Sequence, residues 1–237
     1  MYSNSSSGGG GNNNNINLIT GQKAMLLSLY LLNARSLSPK LDELTALLAT
    51  SPVDLVAITE SWLRSDIDDS LLSISAFNLF RKDRITGRGG GICVYLNNVI
   101  PCKRRLDSEN PIFECLWLTL HPKRLPRRLS GMAVCVVYHP PGRPTESHKG
   151  LNDYLINTTD RLRNEHPDHG LVLLGDFNDF DCSNLVSHHI LKQVVQQPTR
   201  DSAILDFIVT NMHNLYGSPT IHAPLGSSDH NIVLLAT

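Results

Sequence analysis

Polar residues in this chain recur where apolar runs end or begin. Asn33 follows residues 24–32, Glu60 follows 55–59, Tyr138 closes 132–138, and Asp176 and Asn178 follow 171–175. Asp206 opens 205–210, and Asp229-His230 precedes 232–236. Carboxylates, carboxamides, a phenol and an imidazole are groups that hold hard cations, move protons and donate hydrogen bonds to developing oxyanions. Taken singly, each piece has an ordinary explanation. Gly175-Asp176-Phe177-Asn178 has turn chemistry, because Gly, Asp and Asn favour turns. A Glu after a strand is usually solvated, and an Asp-His pair before a strand usually caps it with a surface His. Order and co-occurrence carry the argument for hydrolytic chemistry, not any one piece.

The elements that must position these groups follow from the apolar pattern. Residues 24–32 read as a strand. Ser38-Pro39 then opens a helix, with Ser as N-cap, Pro at the first helical position and Asp42 and Glu43 in the first turn. Leu41, Leu44, Leu47 and Leu48 give that helix one apolar face, and residues 55–59 form a second buried strand. Residues 77–81, 92–96, 113–120 and 132–138 read as strands with no helix between them, so antiparallel pairing is the economical reading. Gly87-Arg88-Gly89-Gly90-Gly91 separates the first two of these. A helix over about 151–164 leads to the fully apolar strand 171–174, and 205–210 and 232–236 are the last strands. The pattern predicts an α/β fold, a two-layered β core flanked by helices. Strand ends share one edge of a rigid sheet, which is how a fold pre-positions a reactive centre.

Composition bounds the function classes. The chain has 237 residues, 41% of them hydrophobic, enough for one large domain. Residues 1–22 are Ser, Gly and Asn with almost no apolar content and are expected to form a disordered tail, leaving 23–237 as the folded domain. A formal net charge of −1 does not announce a nucleic-acid binder, so affinity for DNA or RNA must come from local patches and a bound cation. The five cysteines show no CxxC or Cys/His ligand spacing; Cys93, Cys115 and Cys135 sit in apolar runs and read as core hydrophobes. Reduced thiols fit an intracellular protein, nuclear or cytoplasmic rather than secreted. No stretch reaches the roughly 18 apolar residues of a membrane span, and 24–32 reads as a buried strand rather than a signal segment.

The ordered set Asn33, Ile58-Thr59-Glu60-Ser61-Trp62, Tyr138-His139-Pro140-Pro141, Gly175-Asp176-Phe177-Asn178, Leu205-Asp206 and Ser228-Asp229-His230 resembles the endonuclease/exonuclease/phosphatase superfamily. Asn33-Ala34-Arg35-Ser36-Leu37, Thr59-Glu60-Ser61-Trp62-Leu63 and Arg88-Gly89-Gly90-Gly91-Ile92 make it most similar to the apurinic-type endonuclease domain of non-LTR (LINE-like) retrotransposons. The resemblance spans about residues 26–235 and implies a four-layered α/β sandwich of two mainly antiparallel sheets flanked by helices. It implies a Mg²⁺- or Mn²⁺-dependent endonuclease that nicks DNA. Glu60 would bind the ion, with Asn33 and Asp229 placing it or its waters. Asp176 would deprotonate the attacking water, Asn178 would hold a phosphate oxygen, and His230, polarised by Asp206, would donate to the scissile phosphate. Tyr138 would add a further donor. DNA-repair members of the superfamily often carry an Asp where this chain has Arg35, which removes one ligand and puts a second metal position in doubt. Retrotransposon proteins of this kind continue into a reverse transcriptase, so a separated domain or a genomic remnant is implied. Two alternatives are a hydrolase of the same fold acting on a phosphoinositide or phospholipid, and a copy that folds but no longer cuts.

Basic and aromatic residues complete the expectations. Arg81 and Arg88, with Lys82 and Arg84, are candidates to contact substrate. Lys103-Arg104-Arg105 reads mainly as a solvated run, and the hairpin 123–128 should lie at the end of the sheet away from the site. Trp62 is expected to anchor the loop after Glu60, and His188 and His189 to sit on a solvated face.

Overall fold

The computed structural model describes residues 26–237. The tail expected over 1–22 and the domain start at Lys23 lie outside these residues. Strands β1 (Leu29–Asn33) and β2 (Leu55–Thr59) pair in parallel, joined through helix α1 (Leu41–Thr50). The hairpin of β3 (Phe77–Lys82) and β4 (Ile92–Asn97) adds antiparallel to β2. β5 (Cys102–Arg104), β6 (Glu114–Leu120) and β7 (Gly131–Tyr138) form an antiparallel meander, and α2 (Thr145–Glu165) leads into β8 (His169–Asp176), parallel to β7. α3 (Ser183–His189), β9 (Lys192–Gln193), β10 (Asp206–Thr210), β11 (Thr220–His222) and β12 (Ile232–Leu235) follow. The two six-stranded sheets run β11-β12-β1-β2-β4-β3 and β5-β6-β7-β8-β10-β9, each with one parallel pair.

The central strands are buried at every position and apolar except at their ends, because both faces are covered. Along β1, Leu29 and Leu31 enter the core between the sheets, while Tyr30 and Leu32 pack with Leu44 and Leu48 of α1. Along β7, Val134 and Val136 face the other sheet, while Cys135 and Val137 pack with Leu151 and Leu155 of α2 and Leu185 of α3. The order of layers is therefore α1, sheet, sheet, α2 with α3, a four-layered α/β sandwich. Burying one such Leu is worth about 1.5–3 kcal/mol, so three apolar interfaces fix how the strand ends align.

Several boundaries differ from the sequence expectation. β1 begins at Leu29, after Ser28, whose backbone N–H and hydroxyl both donate to Asp54 Oδ2 at 2.8 Å just ahead of β2. Ser38 does not cap a helix; Ser38–Lys40 is a single 3-10 turn, and α1 starts at Leu41 without a side-chain cap. The buried Lys40 ammonium instead donates to the carbonyls of Ala34 and Arg35. α2 starts at Thr145, six residues earlier than its apolar periodicity shows, because its first turns are polar. β5, β9 and β11 are two- or three-residue edge strands, too short to leave a period, and α3 is a further short element without one. Cys93, Cys115 and Cys135 are buried core residues, as is Cys182, and all five cysteines are free. Among the described residues no helix is long and apolar enough to cross a membrane.

Candidate active site

Strand direction brings the polar residues together. β1, β2, β7 and β8 end on one rim, and β10 and β12, running antiparallel to their neighbours, begin there. Asp176 stands between Tyr138 and Asp206 in cross-strand register. Gly175 makes the close approach possible: a Cβ there would meet the Val137 carbonyl oxygen at 1.8 Å, so only glycine lets β8 lie against β7 at this point. Glu60, Trp62 and Asn178 adopt left-handed backbone conformations, with φ of 49°, 52° and 49°. Such geometry costs about 1–3 kcal/mol per residue unless the surroundings enforce it. The glycine-rich loop enforces it beside Glu60, where Ser61 and Trp62 donate their N–H groups to the carbonyls of Gly91 and Gly90 at 3.2 and 3.0 Å.

A cleft of about 430 Å³ opens on this rim, lined by Asn33, Glu60, Asp176, Asn178, Asp229 and His230, with Arg35, Arg88, Arg200, Trp62 and Pro141 around its mouth. Asp176 is 1% exposed. Its Oδ2 accepts from Asn33 Nδ2 at 2.8 Å and its Oδ1 from the Asn178 N–H at 3.1 Å. Burial, reinforced by the charge of Asp206, pushes its pKa up to about 7 against the pull of His230, Asn33 and Asn178. His230 is buried beside it, its Nδ1 2.7 Å from Asp206 Oδ2. Burial works against the imidazolium, but the hydrogen bond and charge of Asp206, with Asp176 and Asp229 nearby, outweigh it and raise the His230 pKa. This rim therefore holds an acid poised to accept a proton next to an imidazole poised to donate one.

Several residues have different neighbours from those expected. Tyr138 does not face the cleft freely; it is 4% exposed, its hydroxyl donates to Glu60 Oε1, and burial followed by Glu60 raises its pKa. Trp62 does anchor the loop, donating from Nε1 to Glu60 Oε2 at 2.9 Å, and Arg88 lies over its ring at 5.6 Å. Arg88 lines the cleft, but Arg81 does not. The Arg81 guanidinium is taken by Asp83, Asp69 and the carbonyls of Ile67 and Arg64, so the expected substrate contact there is corrected to a structural role. Asp229 is bracketed by Arg200 at 2.8 Å and Arg35 at 3.3 Å. Asn33 uses its amide to orient Asp176 and its Oδ1 to accept from the Arg35 N–H at 3.1 Å. Asn178 lines the cleft and spends one amide hydrogen on the His139 carbonyl at 2.8 Å. Of the run 103–105, Lys103 is exposed as expected, whereas Arg104 pairs with Glu109 and the buried Arg105 pairs with Asp107 and Glu165. His188 is exposed beside Asp160 as expected, whereas His189 is buried. Sequence reasoning missed Arg200, which sits in a turn between short elements with no periodic signal around it, and Thr199, whose hydroxyl accepts from the Asp206 N–H at 3.1 Å.

The donor set fits a hard divalent cation. Glu60, Asp229 and Asn33 offer oxygen atoms on the cleft wall, the ligand type such ions select. Ligand atoms of Asp176, Asp206 and His230 also lie within 4.8 Å of one another. There His230 Nδ1 is already bonded to Asp206, so that trio reads as a proton relay rather than a metal cage.

The sequence matches the Endonuclease/Exonuclease/phosphatase family over residues 15–230. Among solved structures, the fold is similar to the endonuclease domain of TRAS1, a telomere-specific non-LTR retrotransposon, with a TM-score of 0.66 at 14% identity over 89% of this chain and 97% of that one. It is similar to the AP endonuclease LMAP from Leishmania major, with a TM-score of 0.68 at 15% identity over 89% and 87%. It also resembles the 3′ phosphatase NExo from Neisseria, with a TM-score of 0.63 at 17% identity over 89% and 98%. A search of proteins of curated function gave no match. With nearly the whole described chain inside the family match, and with the four-layered sandwich and its acid-rich rim in place, this protein belongs to the Endonuclease/Exonuclease/phosphatase family.

Proposed function

We propose that this protein is a Mg²⁺-dependent endonuclease that nicks DNA. The observation that carries the reading is the convergence of Asp176, the Asp206–His230 pair and Glu60 on one cleft at the ends of both sheets. Glu60, with Asp229 and Asn33, would hold the cation, which when bound neutralises phosphate charge and eases departure of the leaving oxygen. Asp176, oriented by Asn33 and Asn178, takes the proton of the attacking water. Its raised pKa puts it in the range where a general base works near neutral pH. The His230 imidazolium donates a hydrogen bond to the scissile phosphate as charge builds, and Asp206 keeps it protonated and oriented. Asn178 keeps a second amide hydrogen for a phosphate oxygen. Arg88, Arg35 and Arg200 at the cleft mouth supply the local positive charge that the near-neutral chain lacks overall. TRAS1 and LMAP, described as a retrotransposon endonuclease and an AP endonuclease, support DNA as substrate.

The test is a supercoiled plasmid incubated with the protein and Mg²⁺, with and without EDTA. We expect open-circle product that EDTA abolishes, and a loss of at least about 100-fold in Glu60→Gln and His230→Ala, the scale of removing one such group. Nicking by either variant at the parent rate would overturn the site assignment. Phosphate release from inositol phosphates with no plasmid nicking would overturn the substrate.

A further inference from the structure

We propose that His139, His148 and Asp179 form a second metal site, suited to Zn²⁺, immediately behind the catalytic loop. One ligand atom from each of the three lies within 4.8 Å of the other two. His139 is 3% exposed, and its Nε2 is buried without a hydrogen-bond partner. His148 Nε2 is likewise buried and unpartnered, 3.9 Å from Asp179 Oδ2. Buried polar atoms are as a rule satisfied, and two imidazole nitrogens left bare beside one carboxylate are the donor set of a zinc ion. The rings are nearly perpendicular, 86° apart, with centroids at 4.7 Å. Ligand atoms around tetrahedral zinc sit about 3.3 Å apart, given metal–ligand bonds of about 2.0–2.1 Å, so side-chain rotations of modest size would close the site. Phe180 packs against both rings and supplies an apolar wall. Asn152 Oδ1 is another buried, unpartnered oxygen beside His148 in the adjoining groove, a candidate fourth donor.

The position gives the ion a structural task. His139 follows Tyr138 at the end of β7, and its carbonyl receives the Asn178 amide. Asp179 follows Asn178 and accepts from the Gly142 N–H at 3.2 Å. His148 sits near the start of α2. One ion would join the end of β7, the loop after β8 and the start of α2, and so clamp the loop that carries Asn178.

The experiment titrates the metal-stripped protein with Zn²⁺ in millimolar Mg²⁺, which fills the oxygen-lined cleft, and repeats it with Co²⁺ to read tetrahedral absorption bands. We expect one equivalent of Zn²⁺ to bind with a rise in Tm. Binding should persist in His230→Ala and His188→Ala, be lost in His148→Ala, and weaken at least tenfold in Asp179→Asn. Circular dichroism of His148→Ala should match the parent, since the residue lies in the first turn of a helix. Absence of stoichiometric Zn²⁺ binding in the parent, its retention in a folded His148→Ala, or its loss in His230→Ala would each overturn the proposal. None of these readouts depends on nuclease activity.

Discussion

Replacing Asp176 by Asn should stabilise the protein as pH rises, and the magnitude can be worked from the site. Asp176 is buried, and burial together with Asp206 raises its pKa from 3.8 to about 7. The folded state therefore retains a proton that the unfolded chain releases as pH climbs past the ordinary carboxylate value. Fewer protons bound in the unfolded state means stability falls with rising pH across that window. A shift of about three units at about 1.36 kcal/mol each sets a ceiling of roughly 4 kcal/mol. Relaxation around the linked Asp206 and His230 reduces this, and about 2 kcal/mol is a reasonable working value. The variant brings a fixed cost, because Asn33 Nδ2, which donates to Asp176 Oδ2, would face an amide NH₂; a buried donor left unpaired costs about 1–3 kcal/mol. That cost does not change with pH. The signature is therefore the slope: Tm of Asp176→Asn minus Tm of the parent should climb by about 4–8 °C between pH 4.5 and 8, at about 2–4 °C per kcal/mol for a domain of this size. Thermal melts in EDTA across that range measure it. A flat difference would refute the claim that Asp176 is held at a raised pKa by its burial, and with it the case for Asp176 as the base.

The same groups predict a bell-shaped rate profile for plasmid nicking. The acid limb follows ionisation of Asp176 near pH 7, and the alkaline limb follows loss of the His230 proton above the usual histidine range; a profile without the alkaline limb would remove His230 as donor. For stability the His230 sign is opposite to that of Asp176. Its folded pKa is raised, so its ion pair contributes fully below about pH 6.5 and is lost as pH passes through the folded value. Gly175→Ala should cost about 3 kcal/mol or more in urea denaturation, because the added Cβ meets backbone at Val137 rather than a side chain that can turn away. Arg81→Ala should lower the urea midpoint but leave plasmid affinity unchanged, as measured by mobility shift; a clear loss of affinity would restore Arg81 to the substrate surface.

What was legible in the sequence is what burial dictates. β2, β4, β7 and β8 are apolar on both faces, so they stand out as runs whose ends mark the rim carrying Glu60, Tyr138 and Asp176. What was not legible is which polar side chains meet across the fold. Arg81 lies near the end of β3 and Arg88 in the glycine-rich loop that follows it, and nothing in the local sequence tells their roles apart. Only Asp69 and Asp83, brought in by the turns around β3, separate a structural arginine from one at the cleft. The pairing of Arg35 with Asp229 joins the end of the first strand to the turn before β12, a contact that no local pattern reports. The first turns of α2 are polar and exposed or half-buried, so no apolar face marks its start.

The placement of β12 carries a consequence for synthesis. This last strand sits inside its sheet, between β11 and β1, and the turn that leads into it bears Asp229 and His230. A chain still emerging from the ribosome can assemble the sheet that bears Asp176, but the imidazole joins Asp206 only when residues 232–235 slot in beside β1. Formation of the Asp206–His230 pair is thereby tied to insertion of β12, which lies later in the chain than every strand of the sheet that bears Asp176.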